Sequence, residues 1–314
     1  MKLSKYYKII ILSVIIFIFL WVVSYYIHHY TTEEFTENKT DVTIILVSVN
    51  KFQEYILTNI KQLLRLGHKN IYVITNARFF NSFDDYKDQI TLINCEDLRP
   101  THQGVNEASD DFWHLTSSRF MYIYELMKRD NIQNVFHLEN DVLIYYNCKT
   151  LLDKLDDNFY IPFDSLNRNI ASIIYVPNHN IFKQILDHYD FSKNDMENFP
   201  IIKQKTNLIQ QFPIIKNDVN KNDPEYDFVS HNFDKFQIVF DAAAIGQYLG
   251  GIDPIHNTND TTGFVSTECI IKYDKYRFEW KQIDNMKKPF IEIDNDLYPV
   301  FNLHIHSKNL EKFI

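Results

Sequence analysis

Glycine is scarce: the chain has six glycines in 314 residues, far below the usual share of about 7%. A glycine-rich phosphate loop, which needs glycines so that backbone can approach phosphate, is therefore not expected. Cysteine is equally sparse. Cys95, Cys148 and Cys269 lie far apart, with no CxxC pair or Cys/His cluster, which excludes a zinc finger and a thioredoxin-like site. Three cysteines do not make a disulfide framework, although a single bridge is compatible with them. Positive charge is in deficit, with 32 Lys and Arg against 41 Asp and Glu and a net charge of −9. Such a chain lacks the basic surface that neutralises phosphates, so nucleic acid is not an expected partner.

Apolar and aromatic material is plentiful. The hydrophobic set makes up 45% of the chain, with 25 Phe and 20 Tyr. That supply builds a large core and rules out a disordered chain. Residues 9–27, IIILSVIIFIFLWVVSYYI, form an uncharged apolar run. As a helix it would be about 29 Å long, close to the hydrocarbon thickness of a bilayer. Lys2, Lys5 and Lys8 precede it, and Glu33, Glu34 and Glu37 follow. The positive-inside rule then predicts a single-pass type II membrane protein. Its parts would be a cytoplasmic tail (1–8), a signal anchor (9–27), a stem (28–40) and a lumenal or extracytoplasmic domain (41–314). The run is long for a cleaved signal peptide, and no small-x-small site follows it. Sequons at Asn38 and Asn259 agree with that side of the membrane.

Residues 41–314 contain no linker-like stretch and read as one domain. Short β-branched runs at Val42–Val49, Ile71–Thr75, Ile90–Ile93, Val135–Tyr146 and Ala171–Val176 predict buried strands. Helical periodicity falls between them, at Lys51–Leu66, at Ser109–Arg129 with Ser109 as cap, and at Asn180–His188. Strands apolar on both faces and alternating with helices predict an α/β fold, a three-layer αβα arrangement on a mostly parallel mixed sheet. Residues 190–232, rich in Asn, Asp and Lys and carrying FPIIK twice, read as an insertion over one face.

Four places carry chemistry. In Phe136–Tyr145, an apolar run is interrupted by Glu139, Asn140 and Asp141. If the strand continues, alternation points both carboxylates one way, with His137 sharing their parity. Two hard oxygens at a strand's C-terminal end suit Mn²⁺ or Mg²⁺, and ligands bind at that edge in open α/β sheets. Arg119 falls in the middle of the stripe formed by Phe112, Leu115, Ile123 and Leu126, at about 100° per residue. A buried guanidinium needs an anion, either a structural carboxylate or a ligand phosphate. In Leu303–Lys308, alternation puts His304, His306 and Lys308 on one side, where imidazole can join a carboxylate-bound cation and ammonium can hold a diphosphate. Finally, Gly246, Gly250 and Gly251 cluster within Phe240–Asp253, which predicts close backbone approach or positive φ. Asp241 opens that stretch either as a helix cap or as an acceptor-binding carboxylate or general base.

Taken in order, an apolar anchor, a stem, a strand ending in Glu139–Asn140–Asp141 and a late His–Lys pair resemble the membrane-anchored glycosyltransferases of the GT-A fold. The triplet looks like their DxD-type motif with Glu in place of the first Asp. Phe112–Phe120 and Phe240–Asp253 also resemble segments found beside that motif. The resemblance implies a hexosyltransferase-type enzyme with a nucleotide-sugar donor, most often a UDP-sugar, and a glycan, protein or lipid acceptor. It implies Mn²⁺ (or Mg²⁺) held by Asp141 with His304 or His306, and Lys308 at the diphosphate. Ser48 and Asn50, within Val47–Asn50, would cradle the base. Arg119, Glu139, Asn140, Gln247, Gly250 and Gly251 would line the donor or substrate side, and Asp241 would be the catalytic residue. Two alternatives stand beside it: a metal-dependent phosphoester hydrolase, and a membrane-tethered carbohydrate-binding protein without turnover.

Overall fold

The computed structural model describes Ile18, Phe19, Trp21 and Ser24, then residues 41–98, 112–218, 221–252 and 262–314. The chain divides into Met1–Asp41 and Val42–Ile314. Apart from four helical positions, the apolar run 9–27 lies outside the described residues, as do Ser109 and both sequons. Among the described residues no helix is long and apolar enough to cross a membrane.

The second unit begins with β1 (Thr43–Ser48), α1 (Ile56–Arg65), β2 (Asn70–Thr75), β3 (Thr91–Asn94) and α2 (Phe112–Asp130). Next come β4 (Val135–Leu138), β5 (Val142–Ile144), β6 (Phe159–Ser165), β7 (Arg168–Asn169), β8 (Ile173–Val176) and α3 (His179–Leu186). The chain continues through α4 (Asp195–Lys205), β9 (Ile209–Phe212), α5 (Pro224–Ser230), α6 (Phe233–Phe236) and α7 (Ala244–Gly250). It closes with β10 (Arg277–Ile283), β11 (Met286–Ile293), β12 (Asp296–Pro299) and β13 (Asn302–His304).

An eight-stranded sheet runs β3-β2-β1-β4-β8-β6-β7, with β9 also paired to β6. Strands β1 to β4 are mutually parallel along their pairings, and β8 is antiparallel to both β4 and β6. Strand β6 therefore runs with β4, and the C-terminal ends of β1, β4 and β6 share one edge of the sheet. This is a mixed α/β Rossmann-like sheet, consistent with a GT-A fold. Alternation along each strand supplies both faces. Ile44 and Leu46 pack with Ile56, Ile60 and Leu63 of α1, while Ile45 packs with Phe120, Ile123 and Met127 of α2 and Phe182 of α3. A third core joins α7, β13 and the three-stranded β10-β11-β12 meander.

One expectation needs correction. Val135–Tyr146 is not one strand: β4 stops at Leu138, the chain turns through Asn140 and Asp141, and β5 leaves the main sheet to pair antiparallel with β13. Residues 190–232 contribute to core and sheet. They supply α4, whose Phe199 and Ile202 enter the second core, and β9, which pairs parallel with β6. Apolar clusters between the polar residues made those elements worth burying. All three cysteines are free and buried.

Candidate active site

The turn after β4 is held from three sides. Glu139 N donates to Ser172 O at 2.9 Å, and Val142 N closes the turn onto Glu139 O at 3.0 Å. Beneath it, Asn59 of α1 donates its amide to the carbonyls of Glu139, Asn140 and Val142 at 3.3, 3.2 and 2.9 Å. Asn140 donates to Val47 O at 2.7 Å and to Gln53 Oε1 at 2.5 Å, tying the turn to the end of β1. Backbone that leaves a sheet must find other partners, and Asn59 and Asn140 are those partners. The Asn140 side-chain amide N–H₂ thus fixes the turn.

Strand β13 arrives opposite β5, with His304 paired to Val142, and Ile305 N donates to Asp141 O at 2.9 Å. His304 Nε2 then lies 3.0 Å from Asp141 Oδ2 and 3.6 Å from Glu139 Oε2, and Lys308 Nζ donates to Asp141 Oδ2. Ligand atoms of Glu139, Asp141 and His304 all lie within 4.8 Å of one another. Two carboxylate oxygens and one imidazole nitrogen make a hard, borderline donor set that fits Mn²⁺ or Mg²⁺. Asp141 and His304 are buried and Glu139 is half-buried. Burial works to raise the Asp141 carboxyl, but the charges and hydrogen bonds of His304 and Lys308 outweigh it and hold the group well below the usual carboxylate range. For His304 burial works to lower the pKa, and Asp141 reverses the direction and raises it. Ionised carboxylate is the form that ligates a cation.

Arg119 meets two carboxylates of the fold. One terminal nitrogen donates to Glu139 Oε1 and the other to Asp195 Oδ2 at 2.8 Å, with Ala171 O at 3.5 Å. Arg119 and Asp195 are both buried, so the structural carboxylate, one of the two readings of the sequence, is what the fold supplies. Arg119 acts on the site by orienting and neutralising Glu139. Glu139 in turn belongs with Asp141 and His304 in the cation-competent group. His306 does not: it stands beside His304 with ring centroids 5.6 Å apart and outside that group. His137 is a core residue. Its Nδ1 faces Ile45 O at 2.9 Å, and burial, aided by the Arg119 charge, lowers its pKa to about 3.

For Asp241 the structure shows the helix-capping reading of the sequence. It is fully buried, and its carboxylate accepts the amides of Ile245 at 2.8 Å, Gly246 at 2.7 Å and His304 at 2.9 Å. Burial raises its pKa against those hydrogen bonds. With both oxygens bonded to backbone amides, Asp241 caps α7 and fixes β13, which makes it a positioning residue. Gly246 is where helix and strand meet: a Cβ there would lie 2.0 Å from His304 O. The expected close approach is therefore at Gly246. Gly250 packs against Phe313 and Ile305, Gly251 ends α7 with φ of 80°, and Gln247 is half-buried. At the end of β1, Ser48 is buried with its hydroxyl donated to Lys51 O at 3.2 Å. Asn50 takes φ of 68°, and its N–H donates to Asn76 Oδ1 at 2.7 Å.

Sequence reasoning missed Asn59 and Asp195. Asn59 had a signal, because it sits between Ile56, Ile60 and Leu63 on the apolar face of α1, where a polar residue must have buried partners. Asp195 had only a helix-start signal, Asn194 capping Glu197 N.

No protein-family model matches the chain, and no curated sequence matches it. Similar solved structures include mouse xyloside xylosyltransferase 1 in its apo form, at 10% identity over 55% of this chain and 85% of that one, with a TM-score of 0.41. The glycosyltransferase GlyE of Streptococcus pneumoniae TIGR4 matches at 13% identity over 55% of this chain and 45% of its own, with a TM-score of 0.38. A cytidylyltransferase from Leptospira borgpetersenii serovar Hardjo-bovis matches at 10% identity over 55% and 76%, with a TM-score of 0.37. The matched part is thus under half of GlyE.

Proposed function

We propose that the chain is a metal-dependent glycosyltransferase that moves a sugar from a nucleotide-sugar donor, a UDP-sugar by preference, to a hydroxyl acceptor. The observation that carries this reading is the Glu139–Asp141–His304 group at the C-terminal edge of the sheet, with an ammonium, Lys308, on the same carboxylate. Glu139, Asp141 and His304 would hold Mn²⁺. When bound, the cation supplies electrostatic stabilisation to charge developing on the leaving diphosphate. The chain's own residues do the rest. Arg119 and Asp195 keep Glu139 in place, Asn59 and Asn140 keep the turn in register with β1, and Asp241 fixes the backbone that carries His304. Lys308 adds a positive charge on the diphosphate side. In transfer, the acceptor oxygen bonds to the anomeric carbon as the sugar–phosphate bond breaks. The nucleoside diphosphate leaves with the bonding pair, and its phosphate oxygen takes up the hydroxyl proton. The run at 9–27 would anchor the enzyme as a type II membrane protein, with acceptors on the far side.

Calorimetry of UDP with and without Mn²⁺, on the wild type and on Asp141→Asn, tests the reading. The expected result is metal-dependent UDP binding that the substitution abolishes. Absence of nucleotide binding to the folded wild type, with UDP and with GDP, would refute it, and two metal ions per chain would favour a phosphoester hydrolase instead.

A further inference from the structure

The Lys308 ammonium sits on Asp141 Oδ2, the same oxygen that faces His304 Nε2 at 3.0 Å. Asp141 belongs to the cation-competent group. An ammonium in hydrogen-bond contact and a divalent cation cannot share one carboxylate oxygen without strong like-charge repulsion. Lys308 is also able to leave. Its side chain is 30% exposed, against 7% for Asp141. It follows β13 in a short turn, with Lys308 N donating to Ile305 O at 2.9 Å. Its side chain borders a cavity of about 370 Å³ lined by Glu54, Tyr55, Thr58, Leu310 and Glu311, with Nζ 5.9 Å from the Tyr55 ring centroid. Rotation of the lysine side chain would carry the ammonium from Asp141 toward that space.

We infer that Lys308 is a latch on the cation site: its ammonium competes with a divalent cation for Asp141, and a diphosphate releases the competition by drawing the ammonium to itself. The inference rests on the metal-site reading above and adds a sign to it. Lys308 opposes cation binding when the cation comes alone and supports it when diphosphate is present. Cation and nucleoside diphosphate then load cooperatively through a side chain that need not be a ligand to the metal. By linkage, the cation tightens diphosphate binding by the same factor.

The test is Mn²⁺ affinity, measured from free Mn²⁺ by electron paramagnetic resonance, without nucleotide and with saturating UDP. The full chain would be compared as wild type, Lys308→Met, Lys308→Gln and Lys308→Arg. Without UDP, the Met and Gln variants should bind Mn²⁺ about tenfold tighter than wild type or more, as expected when a neighbouring positive charge is removed. The Arg variant, which keeps the charge, should stay near wild type. UDP should tighten Mn²⁺ binding less in the neutral variants than in wild type. A lysine that only contacts diphosphate would leave the nucleotide-free affinity unchanged, so equal or weaker Mn²⁺ binding by the folded neutral variants overturns the latch while the metal site stands. If no folded protein in the series binds Mn²⁺, the metal reading fails and the latch falls with it.

Discussion

Replacing Gly246 by alanine adds one methyl group at the most crowded backbone contact of the site. The new Cβ would lie 2.0 Å from His304 O, 2.6 Å from His304 C and 2.8 Å from Asp241 Oδ2. Ordinary van der Waals contact begins near 3.4 Å, so α7 and β13 must separate by about 1.4 Å (3.4 − 2.0). No side chain can yield, because the obstacle is a strand carbonyl. Overpacking a core costs about 1–3 kcal/mol where neighbours can adjust, so about 3 kcal/mol or more is expected here. For a domain of this size each kcal/mol lowers Tm by about 2–4 °C, and the variant should melt roughly 6–12 °C below wild type. The same movement shifts His304 from Asp141, so Mn²⁺ affinity should fall together with Tm. Gly250→Ala is the control: its Cβ would meet Phe313 Cζ at 3.3 Å, the far end of a ring that can give way, and about 1 kcal/mol is expected. Thermal melts followed by Mn²⁺ titration measure both effects. A Gly246→Ala protein with wild-type Tm and wild-type Mn²⁺ affinity would refute the claim that helix, Asp241 and strand form one rigid mount for His304.

Two further predictions concern buried charge. Asp195→Asn leaves the buried Arg119 with Glu139 alone. Stability by urea titration should fall by about 3 kcal/mol, the lower end for breaking a buried ion pair, and an unchanged midpoint would show that Asp195 is a bystander. Burial pushes the Asp164 carboxyl up to about 6, against the opposing charge of Arg168. A raised folded pKa means that the native state holds its proton longer than the unfolded chain. This group's contribution is therefore lost as pH rises from about 4 to about 6, by roughly 3 kcal/mol for a two-unit shift. The difference between wild-type and Asp164→Asn stability should change across that window and be flat above pH 7; a flat difference from pH 4 to 7 would contradict the shift.

Much of the frame was legible because it rests on local pattern. The β-branched runs that became β1, β2 and β8 are buried on both faces, which continuous apolar sequence already indicates. The meeting of Asp141 with His304 follows from the family resemblance and not from strand pattern, and the contact of Lys308 with Asp141 was not legible at all. The errors have a common physical origin. Alternation assumes that a strand continues, but the chain turns at Asn140 and Asp141, so His137 goes to the core while Glu139 and Asp141 still meet. FPIIK shows the limit most plainly. The pentapeptide lies within α4 at Phe199–Lys203, whereas its second copy begins at Phe212, the last residue of β9. Identical local propensity gives helix in one place and strand end in the other, because tertiary packing decides. Asp195 and the hold of Asp241 on β13 were hidden for the same reason: their partners are Arg119 and His304, 76 and 63 residues away.

That separation governs how the protein is made as well as how it works. Asp141 and His304 are 163 residues apart in the chain. At about 5–20 residues per second, a ribosome needs roughly 8–33 s to add the second after the first. For that interval the nascent β4 and its acidic turn exist without the histidine or the lysine that they will face. A cation-binding pocket therefore cannot nucleate this fold during elongation. Newly made chains must reach β13 before the group of Glu139, Asp141 and His304 is complete.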